Sequence, residues 1–85
     1  MMDINYELYK VFYHVATTLN FSEASKQLFI SQSAVSQSIK TLERKLDQTL
    51  FIRSTKKVQL TPEGEILLRH IEPAMNLIQK GEAQL

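Results

Sequence analysis

The segment that most constrains the fold of this chain is 21–40, which reads FSEASKQLFISQSAVSQSIK. Ala24, Ser25 and Leu28 would form the inner face of a short helix, and another helix can begin after Ser31. Only about three residues then separate the two helices, and so short a connection makes them cross steeply, as in a helix-turn-helix. The segment therefore predicts a helix-turn-helix, and we interpret the rest of the chain as its support.

Short polar side chains mark the expected helix starts, because their oxygens accept hydrogen bonds from the unpaired N–H groups of a first turn. Asn5, Ser22, Ser31 and Thr61 each stand at such a position and are predicted N-caps. Asn20 is expected to end the first helix in a left-handed conformation.

The first helical segment carries one apolar stripe, whose members recur at intervals of three and four residues. They are Leu8, Val11, Phe12, Val15, Ala16 and Leu19. This stripe is predicted to face the core. His14 lies between stripe positions, so we interpret it as a surface histidine rather than a catalytic one.

The third helix, predicted over 32–46, has two contrasting faces. Its apolar side chains fall within one arc at about 100° per residue; they are Val35, Ile39, Leu42 and Leu46. The opposite arc holds hydroxyl, amide and cationic groups: Gln32, Ser33, Ser36, Gln37, Lys40 and Arg44. Such groups can hydrogen-bond base edges and phosphates. This face predicts a DNA-reading surface, and the alternative is an ordinary polar face turned to solvent.

Two short strands are predicted at 50–53 and 58–60, on either side of a polar turn. They would form a wing that leans on the helices, because a lone hairpin is marginal in water. Arg53, Lys56 and Lys57 would project towards backbone phosphates or an adjacent minor groove.

Positive charge is concentrated in the middle of the chain. The net charge is only +1, but residues 31–60 hold six lysines and arginines against two acidic residues. Clustered positive charge favours a phosphate-binding surface. A basic surface that is merely solvated is the alternative.

The last segment, 62–85, predicts one long helix that would span about 36 Å if it reached its end, too long to lie wholly on so small a body. Its apolar side chains are Ile66, Leu67, Leu68, Ile71, Met75, Leu77 and Ile78. An exposed stripe of this length favours pairing with a second copy, whereas the alternative is a helix folded back on the core. Pro73 lacks an N–H group and its ring crowds the preceding turn, so a kink or a break is expected there.

Several classes of function are disfavoured by what the sequence lacks. It contains no cysteine, and its two histidines are far apart, so neither a disulfide framework nor a zinc cluster is expected. No carboxylate pair, nucleophile–base set or phosphate loop occurs at useful spacing, so we expect neither an enzyme nor a cofactor. No apolar run reaches the roughly 18–20 residues of a membrane span, and no signal-peptide pattern is present. A cytoplasmic protein is the expectation.

Four blocks of sequence resemble the DNA-binding domain of LysR-type transcriptional regulators: FSEAS-x-x-L, SQSAVSQSIKTLE, LF-x-R-S and V-x-LTPEG. The resemblance implies a mostly α fold, a winged helix-turn-helix of three helices and a two-stranded wing followed by a long linker helix. The DNA-binding domain would occupy 1–61, with the helix-turn-helix at 21–40 and the wing at 50–60. The linker would occupy 62–85, and the family's C-terminal effector-binding domain would lie outside this chain.

The resemblance also implies a set of functional residues. Gln32, Ser33 and Ser36 match positions that read bases or line the groove, with Gln37 and Lys40 beside them. Together with wing and capping positions, the expected DNA-binding set is Ser22, Ser31, Gln32, Ser33, Ser36, Gln37, Lys40, Arg53, Thr55, Lys56, Lys57 and Thr61. Many relatives have proline in place of Ser33, arginine in place of Gln37, and glycine in place of Thr55 and Lys57.

The expected partners follow from the same reading. Two copies would pair through Leu67, Ile71, Met75, Leu77 and Ile78 on the linker helix and bind a pseudo-palindromic promoter site, with a higher oligomer in a full-length protein. A small-molecule effector would act only through the missing domain, in a bacterial protein at the nucleoid. The alternative is a helical protein-interaction module without specific DNA binding, which would lack salt-dependent affinity for DNA.

Overall fold

The computed structural model describes residues 3–85 as four helices and one two-stranded sheet. In chain order the elements are α1 Tyr6–Thr18, α2 Phe21–Leu28, α3 Gln32–Leu46, β1 Phe51–Arg53, β2 Val58–Leu60 and α4 Pro62–Ala83. The predicted fold class is confirmed: three helices and a two-stranded wing precede one long helix. The first strand begins at Phe51, one residue later than predicted.

Three of the four predicted N-caps are confirmed by side-chain hydrogen bonds. Asn5 Oδ1 accepts from Glu7 N at 2.8 Å, and Ser31 Oγ accepts from Ala34 N at 3.1 Å. Thr61 Oγ1 accepts from Gly64 N at 3.0 Å. Each cap therefore satisfies one N–H group that the helix itself leaves unpaired.

The predicted connection between α1 and α2 is wrong at both of its ends. Leu19, not Asn20, takes the left-handed conformation, with φ 51° and ψ 36°. Asn20 is extended and caps α2, because its Oδ1 accepts from Glu23 N at 2.9 Å. Ser22 is consequently the second residue of α2 and not its cap. With only two residues between the helices, the second of them must supply the cap.

The core lies where α1, α2, α3 and the start of the wing meet. Its buried members are Val11, Phe12, Val15, Ala16, Ala24, Val35, Ile39, Leu42, Leu50 and Phe51. The apolar arc of α3 is thus confirmed as the buried face, with Leu46 partly buried at its end. Leu19 is exposed, contrary to the predicted stripe, because its left-handed backbone turns its side chain off the helical face.

The wing is an antiparallel pair in which Phe51 faces Leu60 and Arg53 faces Val58. Ser54 closes its turn: Ser54 N donates to the Lys57 carbonyl at 2.9 Å, and Ser54 Oγ accepts from Lys57 N at 3.1 Å. The base of the wing is held by Phe51, whose ring centroid lies 5.5 Å from that of Phe12.

A compact hydrogen-bonded joint connects the wing to α4. Thr61 is only 6% exposed, and its hydroxyl donates to the Thr49 carbonyl at 2.6 Å. Thr61 N donates to the Leu50 carbonyl at 3.0 Å. A Cβ atom on Gly64 would collide with that same carbonyl, so α4 can approach this closely only with glycine there.

The long helix α4 runs without interruption through Pro73. The prediction of a break is therefore wrong, while a kink stays a prediction. Proline removes one hydrogen bond, to the carbonyl of Arg69. Arg69 and Pro73 are both exposed, so water can solvate the freed carbonyl and the helix can continue.

The first half of α4 packs on the body of the protein. Leu67, Leu68 and Ile71 are partly buried against the core. Met75 is 4% exposed and its Sδ accepts a hydrogen bond from Tyr6 Oη at 3.7 Å. Beyond Met75 the helix continues along solvent to Ala83.

Candidate nucleic-acid interface

The polar face of α3 is the first component of the candidate interface. Its exposed members are Gln32, Ser33, Gln37, Lys40 and Arg44, and Ser36 is half-buried among them. None of these side chains is apolar, and the apolar side chains of the same helix lie on the buried side. The face therefore offers hydroxyl, amide and cationic groups to a partner, which are the groups that contact base edges and phosphates.

The N-terminus of α3 is pre-organised by two serines. Ser31 Oγ caps Ala34 N and lies 3.1 Å from Ser33 Oγ. The first N–H groups of a helix have no partner within it and carry a partial positive charge. This end of α3 is thus suited to a phosphate oxygen.

The wing turn forms one wall of an open cleft of about 250 Å³ beside this helix end. The other walls come from the start of α2 and of α3. Among the predicted DNA-binding residues, the cleft brings together Ser22, Gln32, Thr55, Lys56 and Lys57. Two lysines beside two helix N-termini create a region of positive potential, which favours an anionic ligand.

Arg53 contacts side chains of two helices, α2 and α3, whereas the sequence predicted that it would project outward. Its guanidinium carbon is 3.6 Å from the centroid of the Phe21 ring. Its Nη2 donates a hydrogen bond to Ser36 Oγ at 2.9 Å. Side chains two apart in a strand share a face, and Phe51 packs against Phe21 with centroids 6.2 Å apart. This alternation was the available signal that Arg53 would reach Phe21.

Thr61 does not lie on this surface and is a correction to the predicted DNA-binding set. It is confirmed as a cap. Its hydroxyl is buried and bonded to the Thr49 carbonyl and the Gly64 amide. No atom of that hydroxyl is free to meet a phosphate, so its contribution is to the wing–α4 joint.

The predicted pairing residues on α4 differ in their accessibility. Leu67 and Ile71 are half-buried, and Leu77 and Ile78 are exposed. Met75 is buried and contacts Tyr6 of the same chain, so it has little exposed surface for contact with a second copy. Ile66 was not among the predicted pairing residues, although it is 52% exposed. Its position in the apolar stripe was the signal.

An apolar groove of about 360 Å³ separates the end of α3 from the beginning of α4. It is lined by Leu46, Gln48, Leu50, Glu63, Ile66, Leu67 and His70. The groove lies on the helix that carries the exposed stripe, so any partner that covers the stripe near Ile66 also covers the groove.

The two histidines lie apart from the face of α3. His14 Nδ1 is 2.7 Å from Gln27 Oε1, on the surface between α1 and α2. His70 Nδ1 lies 3.0 Å from the Ile66 carbonyl on α4. Within residues 3–85, no helix is long and apolar enough to cross a bilayer.

The three-helix core, the wing and the polar face of α3 together define a winged helix-turn-helix protein. Residues 6–65 match the model of a known family, described as bacterial regulatory helix-turn-helix protein, lysR family. The chain belongs to that family, whose members are DNA-binding transcriptional regulators and not enzymes.

Individual relatives agree with the family assignment. The transcriptional regulator PerR of Escherichia coli (strain K12) is 45% identical over 76 residues, which cover 89% of this chain and 26% of PerR. The OxyR structure from Corynebacterium glutamicum matches with a TM-score of 0.87 and 30% identity, over 98% of this chain and 26% of that one. The chain thus spans about a quarter of the length of such relatives.

A solved complex of the CbnR DNA-binding domain with DNA has a TM-score of 0.83 and 26% identity to this chain. The match covers 95% of this chain and 93% of the CbnR chain. The likeness therefore extends over nearly the whole of a domain that was crystallised on DNA.

Proposed function

We propose that this chain reads specific double-stranded DNA sequences by placing α3 in a major groove and the wing on the adjacent backbone. The observation that carries the proposal is the common surface of the two elements. Gln32, at the start of the polar face of α3, borders the same cleft as the basic wing turn, and Arg53 of β1 donates a hydrogen bond to Ser36 on that face. A surface with both amide and cationic groups can combine base readout with phosphate contacts.

Base readout is assigned to the exposed polar residues in the first half of α3. Gln32 and Gln37 each carry a donor and an acceptor, which suits bidentate pairing with adenine N6 and N7. Ser33 and Ser36 are short, so they allow the helix backbone to approach the base edges. Lys40 lies further along the same face and is suited to a guanine edge or a phosphate.

Phosphate contacts are assigned to the residues around the cleft. Lys56 and Lys57 supply charge, and Ser22, Ser31 and Thr55 supply hydroxyl groups near helix N-termini or the wing turn. Such contacts set affinity and make it dependent on salt, because each neutralised phosphate releases counterions.

We further propose that two copies pair through α4 in antiparallel orientation. Exposed apolar residues lie towards both ends of the helix, Ile66 near its start and Leu77 and Ile78 near its end. Antiparallel pairing places the start of one α4 helix beside the end of the other, so these exposed apolar residues face each other. It also brings acidic Glu63 near the partner's Lys80, whereas parallel pairing would set like charges side by side. A two-fold dimer implies a pseudo-palindromic site.

A full-length protein with this domain would add further functions. We propose that it acts in the cytoplasm at the nucleoid, responds to a small molecule through an additional effector-binding domain, and assembles into a higher oligomer. The extra length of relatives such as PerR, of which this chain covers 26%, leaves room for such a domain.

The proposed interface predicts different effects of Gln32→Ala and Lys56→Met on DNA binding. Gln32→Ala should cost about 1–3 kcal/mol of discrimination at one base pair, because it removes a base contact. Lys56→Met should weaken binding to all DNA sequences alike and reduce the slope of log affinity against log salt by about 1. Sites would first be selected from a random DNA pool, and fluorescence anisotropy at several salt concentrations would then measure both variants.

Two results would contradict this assignment. If both variants bound every sequence as tightly as the parent, α3 and the wing would not contact DNA. If the parent chain showed no salt-dependent affinity for any DNA, the chain would instead be a protein-interaction module.

A further inference from the structure

The guanidinium of Arg53 is held between three elements of the fold. Arg53 ends β1, its guanidinium covers the ring of Phe21 at the start of α2, and it donates to Ser36 in α3. Phe21 rests in turn on Phe51, and Phe51 rests on Phe12 in the core. The guanidinium therefore lies on a chain of aromatic contacts that reaches the core of the protein.

Ser36 differs from four other helical hydroxyl residues of this chain in how its hydroxyl is bonded. Thr17, Thr18, Ser25 and Thr41 each donate to a backbone carbonyl three or four residues earlier. Ser36 makes no such bond within residues 3–85, and its oxygen instead accepts from Arg53. An arginine can only donate, so the Ser36 proton must point elsewhere.

We propose that Arg53 is a positioning residue that makes Ser36 a hydrogen-bond donor towards the major groove. The inference rests on the proposed function of α3 and adds to it a chemical preference. Arg53 occupies one acceptor lone pair of the Ser36 hydroxyl. Within residues 3–85, no backbone carbonyl accepts the Ser36 proton. Ser36 then selects a base edge that offers an acceptor, such as purine N7, guanine O6 or thymine O4. The N4 amine of cytosine can only donate, so it cannot accept the Ser36 proton and has only the one lone pair that Arg53 leaves free.

This role differs from that of a wing arginine that only grips phosphate. A phosphate contact needs a positive charge, and lysine supplies one. The contact with Ser36 needs a planar group stacked on Phe21 with an N–H fixed in direction, and lysine lacks both features. Arg53→Lys therefore separates the two roles. The remaining N–H groups of Arg53 stay free to meet the DNA backbone.

The experiment is selection from a random DNA pool, followed by binding measurements on single-base variants of the selected site. The parent chain is compared with Ser36→Ala, Arg53→Lys, the double variant and Phe21→Leu. Lys56→Met is the matched control, because it alters a wing cation without contact to Ser36. Thermal unfolding of each variant establishes that it is folded.

Ser36→Ala and Arg53→Lys should lose discrimination at the same base pair, by about fivefold, as expected for one net hydrogen bond. The double variant should lose no more than either single one, since the two residues act as a unit. Arg53→Lys should keep the parent's salt dependence because its charge is retained. Phe21→Leu should reduce discrimination at that base pair too, which provides a second test if Arg53→Lys does not fold. Lys56→Met should keep the parent's base preference.

Three results would overturn the inference. The first is that Arg53→Lys retains the full base preference of the parent. The second is that it weakens binding to all sequences alike, as loss of a phosphate contact would. The third is that Ser36→Ala leaves every base preference unchanged. Each of these leaves sequence-specific binding by α3 intact. If the parent itself selects no sequence, the proposed function fails and the role of Arg53 fails with it.

Discussion

Gly64 sets how closely α4 approaches the wing. A Cβ atom on this residue would collide with the Leu50 carbonyl oxygen and would lie 2.8 Å from Leu60 Cδ2. The same carbonyl accepts the hydrogen bond from Thr61 N, so it cannot withdraw without breaking the joint. Gly64 is needed for space and not for backbone freedom, because no glycine in residues 3–85 has a positive φ.

We expect Gly64→Ala to lower the free energy of unfolding by about 1–3 kcal/mol, the usual cost of overpacking. The matched control is Gly81→Ala on the same helix, where an added Cβ meets nothing within 4 Å. The control should be neutral or stabilising by up to about 1 kcal/mol, because alanine favours a helix over glycine. Urea unfolding followed by circular dichroism measures both variants, and equal stabilities would contradict the packing argument.

At the scale of elements, one carboxylate attaches the wing to α3. Glu43 Oε2 accepts hydrogen bonds from Leu50 N at 2.7 Å and from Phe51 N at 3.3 Å. Leu50 and Phe51 are both buried, so water cannot readily replace the carboxylate. Because β1 begins at Phe51, this attachment also determines where Arg53 meets Ser36.

Glu43→Ala should therefore destabilise the protein by about 1–3 kcal/mol, the cost of leaving buried N–H groups without an acceptor. Glu72→Ala, an exposed glutamate on α4, is the control and should change stability by less than about 0.5 kcal/mol. Chemical unfolding gives both values. A loss for Glu43→Ala no larger than that of the control would show that the attachment is dispensable.

Local periodicity predicted the faces of the helices well, because it depends only on the sequence spacing of apolar side chains. It assigns Val35, Ile39 and Leu42 to the buried side of α3, where the structure has them. Helix ends were harder to predict. Asn20 and Ser22 are both competent caps, and the choice between them depends on where α1 ends, which the backbone of Leu19 decides.

At the scale of the whole molecule, the end of α4 beyond Met75 contributes little to the core. Leu77 is 69% exposed and Ile78 is 42% exposed. The molecule measures 43 × 30 × 20 Å, and such a small body buries a limited fraction of its surface. A second copy of the chain would cover these residues and stabilise both copies by association.

Leu77→Lys should weaken self-association by about tenfold or more, because it removes an apolar contact and adds a charge to the pairing surface. Gln79→Lys introduces the same charge about 200° around the helix from Leu77 and is the matched control. Sedimentation equilibrium over a range of protein concentrations compares the two with the parent. A parent that stays monomeric at high concentration would argue against pairing through α4.

Contacts between distant segments account for what the sequence did not predict. Arg53 lies over Phe21, which contacts Phe51, which in turn contacts Phe12. These rings come from α2, β1 and α1, and no pattern within one element predicts that they meet. Met75 was assigned to pairing on the basis of its stripe, yet Tyr6, 69 positions earlier, covers it. Local patterns predicted which residues are apolar or polar on each helix, but not which partner each side chain meets.

In the proposed dimer, the joint of Thr61, Leu50 and Gly64 would affect the spacing of the two DNA-bound domains. An uninterrupted helix of the length of α4 extends about 33 Å, so a tilt of about 10° at its base moves its far end by about 6 Å. That displacement is about one sixth of the ~34 Å helical repeat of DNA that separates paired half-sites. Substitutions at this joint, remote from any base, would therefore change which operator lengths a dimer tolerates.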